Sequence, residues 1–462
     1  MRYEQYINVI DQKNDVFCNI SDYLWENPEI PFHEYGAAEL ITDVLEKEGF
    51  SLNRGVAGMP TAFTATYGNG SPKLGILAEY DALSGMSQVG CIAEKKSIVG
   101  LDAGHGCGHN LFAGGSVAAA FAVKACIEDL GRGSVTLFGC PAEEGGGGKV
   151  FMVRDGIFDG IDAVVSWHPA DMNMVRTRQS LANIKIDYTF EGIAAHASAA
   201  PYLGRSALDA VELMNVGCNY LREHMEPTSR VHYAILDAGG TAPNQVQSHA
   251  VVRYLLRAVD AEGVRELHER VGRVAQGAAL MTDTTVTSRV VCAYSNLITI
   301  PVLQATANEA LHDIPVPQAT EEELAFAKAL QKSLKLTREQ AVLPPYANTV
   351  KEPDPPGAAR GSTDTSDVSW VTPTVQLHIG TFVVGTPEHS WQSVANNRTT
   401  FAKRSMLFAG KVVAGTLIRL LHDPSLVEKA REEHTQKTGG EYICPVPTDL
   451  LPDTPENMDR HK

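Results

Sequence analysis

Apolar positions in the first fifty residues recur at helical spacing, with Ile20, Tyr23 and Leu24 in one group and Ala37, Leu40, Ile41, Val44 and Leu45 in the next. Asn27, Pro28 and Pro31 interrupt that period, so the pattern predicts two helices over 5–49. Strand-like runs follow at 62–67 and 73–79, then a run of small apolar residues at 111–125 that reads as a helix, then strands at 134–139 and 163–167. Apolar strands alternating with helices predict an α/β sheet covered on both faces, with functional groups on the loops at strand ends.

The period changes near residue 181. Over 183–192 polar and apolar residues alternate strictly, with Ile184, Ile186, Tyr188 and Phe190 on one face, which predicts a sheet with one open side. A helix at 205–222, strands at 230–237 and 246–259, a helix at 261–280 and a strand at 284–293 complete a βαββαβ order. Two helices covering one face of a four-stranded sheet make a ferredoxin-like domain, here inserted at 181–293 between the two parts, 1–180 and 294–462, of a mixed-sheet catalytic domain. Beyond it, 294–350 reads as mainly helical, 351–367 as a loop, 374–379 as a strand and 403–421 as the closing helix, followed by a surface helix and a polar tail.

Composition narrows the partners. The chain has 462 residues and a formal charge of -16, which argues against nucleic acid and leaves no polybasic segment for an anionic membrane. Met1-Arg2-Tyr3-Glu4-Gln5 lacks a signal-peptide pattern, and no uninterrupted apolar run approaches the roughly 20 residues that span a bilayer. The expected setting is cytoplasmic, with no membrane partner. Eight cysteines in so long a chain read as reduced core residues, Cys107 excepted.

Cys107 stands in Gly104-His105-Gly106-Cys107-Gly108-His109-Asn110, where a thiol and an imidazole two residues apart point to one side of an extended segment and glycines admit close approach. That is a metal-ligand arrangement. Cys140-Pro141-Ala142-Glu143-Glu144 brings adjacent carboxylates from a strand end into a glycine loop; facing opposite ways, one suits a metal and the other a proton from water. His168 ends an apolar strand where such sheets present side chains to ligands, and His389 lies in a loop after a later strand. Taken singly, these are also a glycine-rich turn, a solvated acid pair and strand-end histidines. Taken together, Cys107, His109, Glu144, His168 and His389 exceed the four donors of a closed tetrahedral site, and a centre for two divalent ions is the economical reading.

The order of these motifs, with Leu77-Ala78-Glu79-Tyr80-Asp81-Ala82-Leu83, Trp167-His168-Pro169, Gly192-Ile193-Ala194-Ala195-His196-Ala197 and Pro387-Glu388-His389-Ser390-Trp391, resembles the aminoacylase and carboxypeptidase-G-like family of di-metal peptidases and amidohydrolases. The likeness is to its Cys-Gly-His subfamily and extends over nearly the whole chain, although Asn110 stands where that subfamily usually has Asp. The resemblance implies that Cys107, His109, Glu144, His168 and His389 bind metal, that Glu143 is the general base, and that Asp81 orients a ligand. It implies a lid and dimer contact in the inserted domain, with His196 stabilising the oxyanion, in some such enzymes across the dimer interface. Asn244 and Arg257 are candidates for the substrate's free carboxylate, which the guanidinium fork matches. The expected reaction is amide hydrolysis of an N-acyl or N-aroyl amino acid, p-aminobenzoyl-glutamate first. Indole-acyl conjugates, dipeptides, or a subunit supporting a homologous catalytic partner remain as alternatives. Cys107 favours zinc, the other donors also accept manganese, and either a homodimer or a heteromer with a homologous subunit is compatible.

Overall fold

The computed structural model describes residues 3–355, 357 and 361–458. Three helices open it where two were predicted: Glu4–Gln12, Asn14–Glu26 and Tyr35–Lys47. The extra break falls at Lys13, whose backbone leaves helical geometry (φ -112°, ψ 22°) within an otherwise helical hydrophobic period. Strands β1 (Ser51–Arg54), β2 (Phe63–Gly68), β3 (Lys73–Glu79), β4 (Ser134–Cys140), β5 (Ala163–Ala170) and β6 (Met174–Val175) follow. The exposed, polar β1 carries no apolar signal and was not predicted.

The alternating stretch forms β7 (Ala182–Glu191), a two-residue β8 (Ala195–His196), β9 (Arg230–Asp237), a two-residue β10 (Gln245–Val246), β11 (His249–Ala258) and β12 (Thr285–Tyr294). The single strand predicted at 246–259 is thus two, parted at Gln247 and Ser248. The last strand, β13 (Thr374–Gly380), returns to the first sheet. That sheet runs β1-β2-β4-β3-β5-β13-β6. Its middle strands β4, β3, β5 and β13 are mutually parallel, and the outer pairings are antiparallel. Four carboxyl ends therefore open on one edge, where α/β sheets bind ligands.

The second sheet runs β12-β7-β11-β9, all antiparallel, the ferredoxin-like order. Helices Ala207–Leu221 and Ala261–Thr282 bury one face through Ile186, Tyr188, Phe190, Val252, Tyr254 and Leu256. Period-two alternation turns Lys185, Asp187, Arg253, Leu255 and Arg257 to the other face. That open face looks onto the large sheet's carboxyl edge.

Small residues in 111–125 have a packing reason. Helix His109–Leu130 lies against helix Thr400–His422 and the large sheet, and a Cβ at Gly115 would come within 2.7 Å of the Trp167 ring. Both helices reach the length and apolarity of a membrane span, which was not expected of any segment, and both are mostly buried inside the protein. After β12, helices Pro301–Asp313 and Glu321–Gln331 match the expected helical stretch, but 332–350 is largely irregular and helix Thr365–Val371 begins inside the expected loop.

Candidate metal centre and substrate cleft

The candidate ligands sit in or after the carboxyl ends of the parallel strands or at the start of the central helix. Asp81 follows β3, Glu143 and Glu144 follow β4, His168 lies in β5, and His389 stands in the loop after β13. Cys107 precedes helix His109–Leu130, whose first residue is His109. Gly108 caps that helix in the left-handed region (φ 81°), which L side chains avoid, and a Cβ there would stand 2.9 Å from Pro169. Asn110 donates to Ser21 Oγ at 2.9 Å, tying the ligand helix to helix Asn14–Glu26.

The five ligands predicted from sequence converge. Donor atoms of Cys107, His109 and His168 lie within 4.8 Å of one another, and so do those of Cys107, Glu144 and His389, with Cys107 common to both sets. Cys107 Sγ is 3.4 Å from His168 Nε2, and His389 Nε2 is 3.1 Å from Glu144 Oε1. Donors bound at ~2.1–2.3 Å to one ion, at angles between right and tetrahedral, stand ~3.0–3.6 Å apart. The observed separations fall in that range.

Partner hydrogen bonds fix which nitrogen is free. His109 Nδ1 bonds Asp81 Oδ1 at 2.9 Å, and His168 Nδ1 bonds Pro169 O at 2.8 Å, so each Nε2 is left facing the cluster. Asp81 Oδ2 also accepts the Glu144 backbone N–H at 2.8 Å. One buried carboxylate thus orients members of both sets. His109 Nε2 and Glu144 Oε1 are buried and make no hydrogen bond of good geometry, each facing another candidate group, Glu79 Oε2 at 3.2 Å and His389 Nε2 at 3.1 Å; buried polar atoms are rarely left so, and the donor chemistry fits divalent metal. His389 reaches the cluster with φ 56°, a strained setting for a non-glycine residue, held by its N–H on Gly106 O at 3.0 Å.

Charge at this end of the cleft is strongly acidic. Burial pushes Glu143 well above the usual carboxylate range, and neighbouring Glu79, Glu144 and Asp364 add to it. Glu144 moves the other way: burial opposes ionisation, but His389 and His109 hold it below its ordinary value. Asp81, with burial outweighed by His109 and the Glu144 N–H, is also lowered. Two adjacent carboxyl groups pushed apart in this manner divide naturally into a proton carrier and an anionic ligand.

The same cleft, about 590 Å³, is basic at its other end. Arg176, Arg178, Lys185 and Arg257 line it together with Glu143, the five candidate ligands except His109, and Tyr294. Of these four cations only Arg178 has a carboxylate of the described residues within ion-pair range, Asp354 at 3.5 Å. Arg257 donates to Ser362 Oγ at 2.7 Å, and Arg176 to Gln376 Oε1 at 2.5 Å. Arg176 follows β6, beside β13, on the face that also presents His378 and His168. It carried no motif or spacing signal in the sequence, because its position depends on β6 turning back antiparallel to a strand 200 residues later.

Arg257 lines this cleft, whereas His196 and Asn244 do not. They stand side by side on the exposed β8–β10 ladder, with His196 opposite Gln245 and Ala197 N–H donating to Asn244 O at 3.0 Å. Within one chain the structure does not bring them to the acidic cluster. His105, in the same glycine-rich motif as Cys107, is a packing residue: it is buried, bonds Leu24 O at 3.1 Å, and has its pKa lowered to about 3 by burial and by His109.

Residues 76–292 match Peptidase family M20/M25/M40. The chain is 42% identical to a p-aminobenzoyl-glutamate hydrolase subunit of Escherichia coli (strain K12), over 96% of this chain and 97% of that protein. It is 28% identical to the Xaa-Arg dipeptidase of Mus musculus, over 94% and 92%. Among solved structures, an aminobenzoyl-glutamate utilization protein from Klebsiella pneumoniae shares the fold, with a TM-score of 0.62 at 18% identity over 91% of this chain and 98% of that one. A sheet edge built for ligands, a cluster fit for metal and near-full-length identity lead to one conclusion: the chain belongs to peptidase family M20/M25/M40 and is an amide-bond hydrolase of that family.

Proposed function

We propose that this enzyme cleaves the amide of N-aroyl amino acids, p-aminobenzoyl-glutamate first, with two divalent ions held by Cys107, His109, Glu144, His168 and His389. The observation carrying the reading is the meeting of those five donors in two sets joined at Cys107, beside the buried carboxylate of Glu143 and across a cleft from cationic side chains. The Escherichia coli relative is by name part of a hydrolase of that substrate. Bound manganese or zinc supplies Lewis acidity, lowering the pKa of water and polarising a carbonyl. Glu143 takes the proton from the attacking water and later delivers it to the leaving nitrogen. Asp81 keeps His109 and Glu144 in place throughout. Arg257 and Arg176 receive the carboxylates of the glutamyl group, for which a guanidinium fork is suited.

The same reading makes 181–293 a lid and dimerisation domain on a catalytic domain of 1–180 and 294–462. His196 and Asn244, exposed on that lid, complete the cleft of a second chain, where His196 stabilises the oxyanion. Support comes from β9, an edge strand whose Tyr233, Ile235 and Leu236 are exposed, and from Tyr220, exposed on helix Ala207–Leu221 of the same domain. The partner is a second copy or a homologous subunit; the Escherichia coli relative is by name one subunit of its hydrolase. All eight cysteines are free thiols, in keeping with a cytoplasmic setting.

The test is hydrolysis of aroyl, indole-acyl and aliphatic acyl amino acids by the purified chain with manganese or zinc. Aroyl-glutamate should be turned over fastest, and Glu143→Gln should lower kcat by ~10²–10⁴ while metal content is kept. Near-normal turnover in Glu143→Gln would remove the proposed base. A wild-type chain inert on every substrate until a homologous subunit is added would instead make it a supporting subunit.

A further inference from the structure

Glu79, the last residue of β3, divides its buried carboxylate between two neighbours. Oε1 accepts from Lys149 Nζ at 2.7 Å. Lys149 is also buried and is 2.6 Å from Asp364 Oδ1, while its backbone N–H donates to Asp364 Oδ2 at 2.9 Å. Oε2 has no hydrogen-bond partner and lies 3.2 Å from His109 Nε2, which has none either. With Nδ1 of His109 bonded to Asp81, Nε2 faces this oxygen where water is excluded, and a cation shared between the two would satisfy both atoms.

Their separation matches two donors on one ion, which stand ~3.0–3.4 Å apart for bonds of ~2.1 Å. A ligand atom of Glu143 lies within 4.8 Å of both. Lys149 does not account for Glu79, since Asp364 already answers its charge and the two carboxylates leave the group net negative. What Lys149 and Asp364 do is hold Oε1 and so aim Oε2 at the centre. We propose that Glu79 is a further donor of the metal centre, binding through Oε2 the ion that His109 binds, with Lys149 and Asp364 as positioning residues. This rests on the two-ion reading above.

The test strips the full-length chain of metal and titrates it with Co²⁺ followed by visible absorption, and with Mn²⁺ followed by electron paramagnetic resonance. Glu79→Gln keeps the side-chain size, and it should weaken one of two bound ions by at least about tenfold and shift its d–d absorption. The sulfur-to-cobalt band of Cys107 should persist. Asp364→Asn, which loosens the hold of Lys149 on Glu79 but removes no donor, should weaken the same ion, and by less than Glu79→Gln does. If Glu79→Gln fails to fold, Glu79→Asp, which keeps the charge and shortens the reach, is read for the same shift. Two ions bound by Glu79→Gln with wild-type affinity and spectrum overturn this inference and leave the proposed function standing; a wild-type chain that binds no metal overturns both.

Discussion

Asp81→Asn is the sharpest probe of the site, because the two oxygens of Asp81 face two donors: His109 Nδ1 at 2.9 Å and the Glu144 backbone N–H at 2.8 Å. Asparagine has one acceptor and one NH₂ group, so one of these contacts becomes donor against donor. With the amide oxygen toward Glu144, the NH₂ forces His109 to carry its proton on Nε2, which removes the lone pair meant for metal. With the oxygen toward His109, the Glu144 N–H is repelled and its carboxylate swings with the loop. Either way an ion is lost from its donors. Changing an orienting group of this kind costs about 10–100-fold in metal affinity, or about 1.4–2.8 kcal/mol at 1.4 kcal/mol per tenfold. Titration of metal-free protein with Mn²⁺, counting the free ion by electron paramagnetic resonance, reads the affinity directly, and a urea melt of the metal-free form separates site loss from unfolding. Wild-type affinity in a folded Asp81→Asn protein would show that Asp81 orients neither ligand.

Arg176→Met should lower kcat/KM for aroyl-glutamate mainly through KM, by about 10–100-fold for a charged hydrogen bond of ~1.5–3 kcal/mol, and should leave an aroyl-glutamine substrate much less affected; equal losses on both would remove Arg176 from carboxylate recognition. His196→Ala and Glu143→Gln proteins, each inactive alone, should regain part of the wild-type rate when mixed, because a mixed pair holds one cleft with both groups intact; no recovery after exchange of subunits rules out a shared site. Burial raises the carboxyl of Asp367 to about 7, against hydrogen bonds from Ser295 and Tyr442 that lower it. The folded chain then binds more protons than the unfolded one, and stability is greatest below the unfolded value of 3.8 and falls as pH rises through 7, by about 4 kcal/mol if this group acts alone at 1.36 kcal/mol per pK unit. Urea unfolding at pH 5 and pH 8 should show this slope in the wild type and a shallower one in Asp367→Asn.

Local signals carried far where they were periodic. The βαββαβ order was readable because β7 alternates without a break and because helix Ala261–Thr282 keeps an amphipathic stripe. Strands β3 and β9 fall at the predicted residues for the same reason. The kink at Lys13, the polar strand β1 and the split between β10 and β11 left no such trace, since each depends on what lies beside it.

By itself, the sequence determined the donor types, the paired acids and the strands that carry them, because thiol, imidazole and carboxylate chemistry and hydrophobic period reside in the residues themselves. Only the tertiary structure decided which of those groups share a site. Parallel pairing of β4, β3, β5 and β13 collects Asp81, Glu144, His168 and His389 from positions more than 300 residues apart onto one edge. The same pairing buries Glu79 against His109. The turn of β6 brings in Arg176, and the β8–β10 ladder carries His196 away from the cleft of its own chain. Distance in space between residues far apart in sequence is set by strand order and register, which no local pattern encodes.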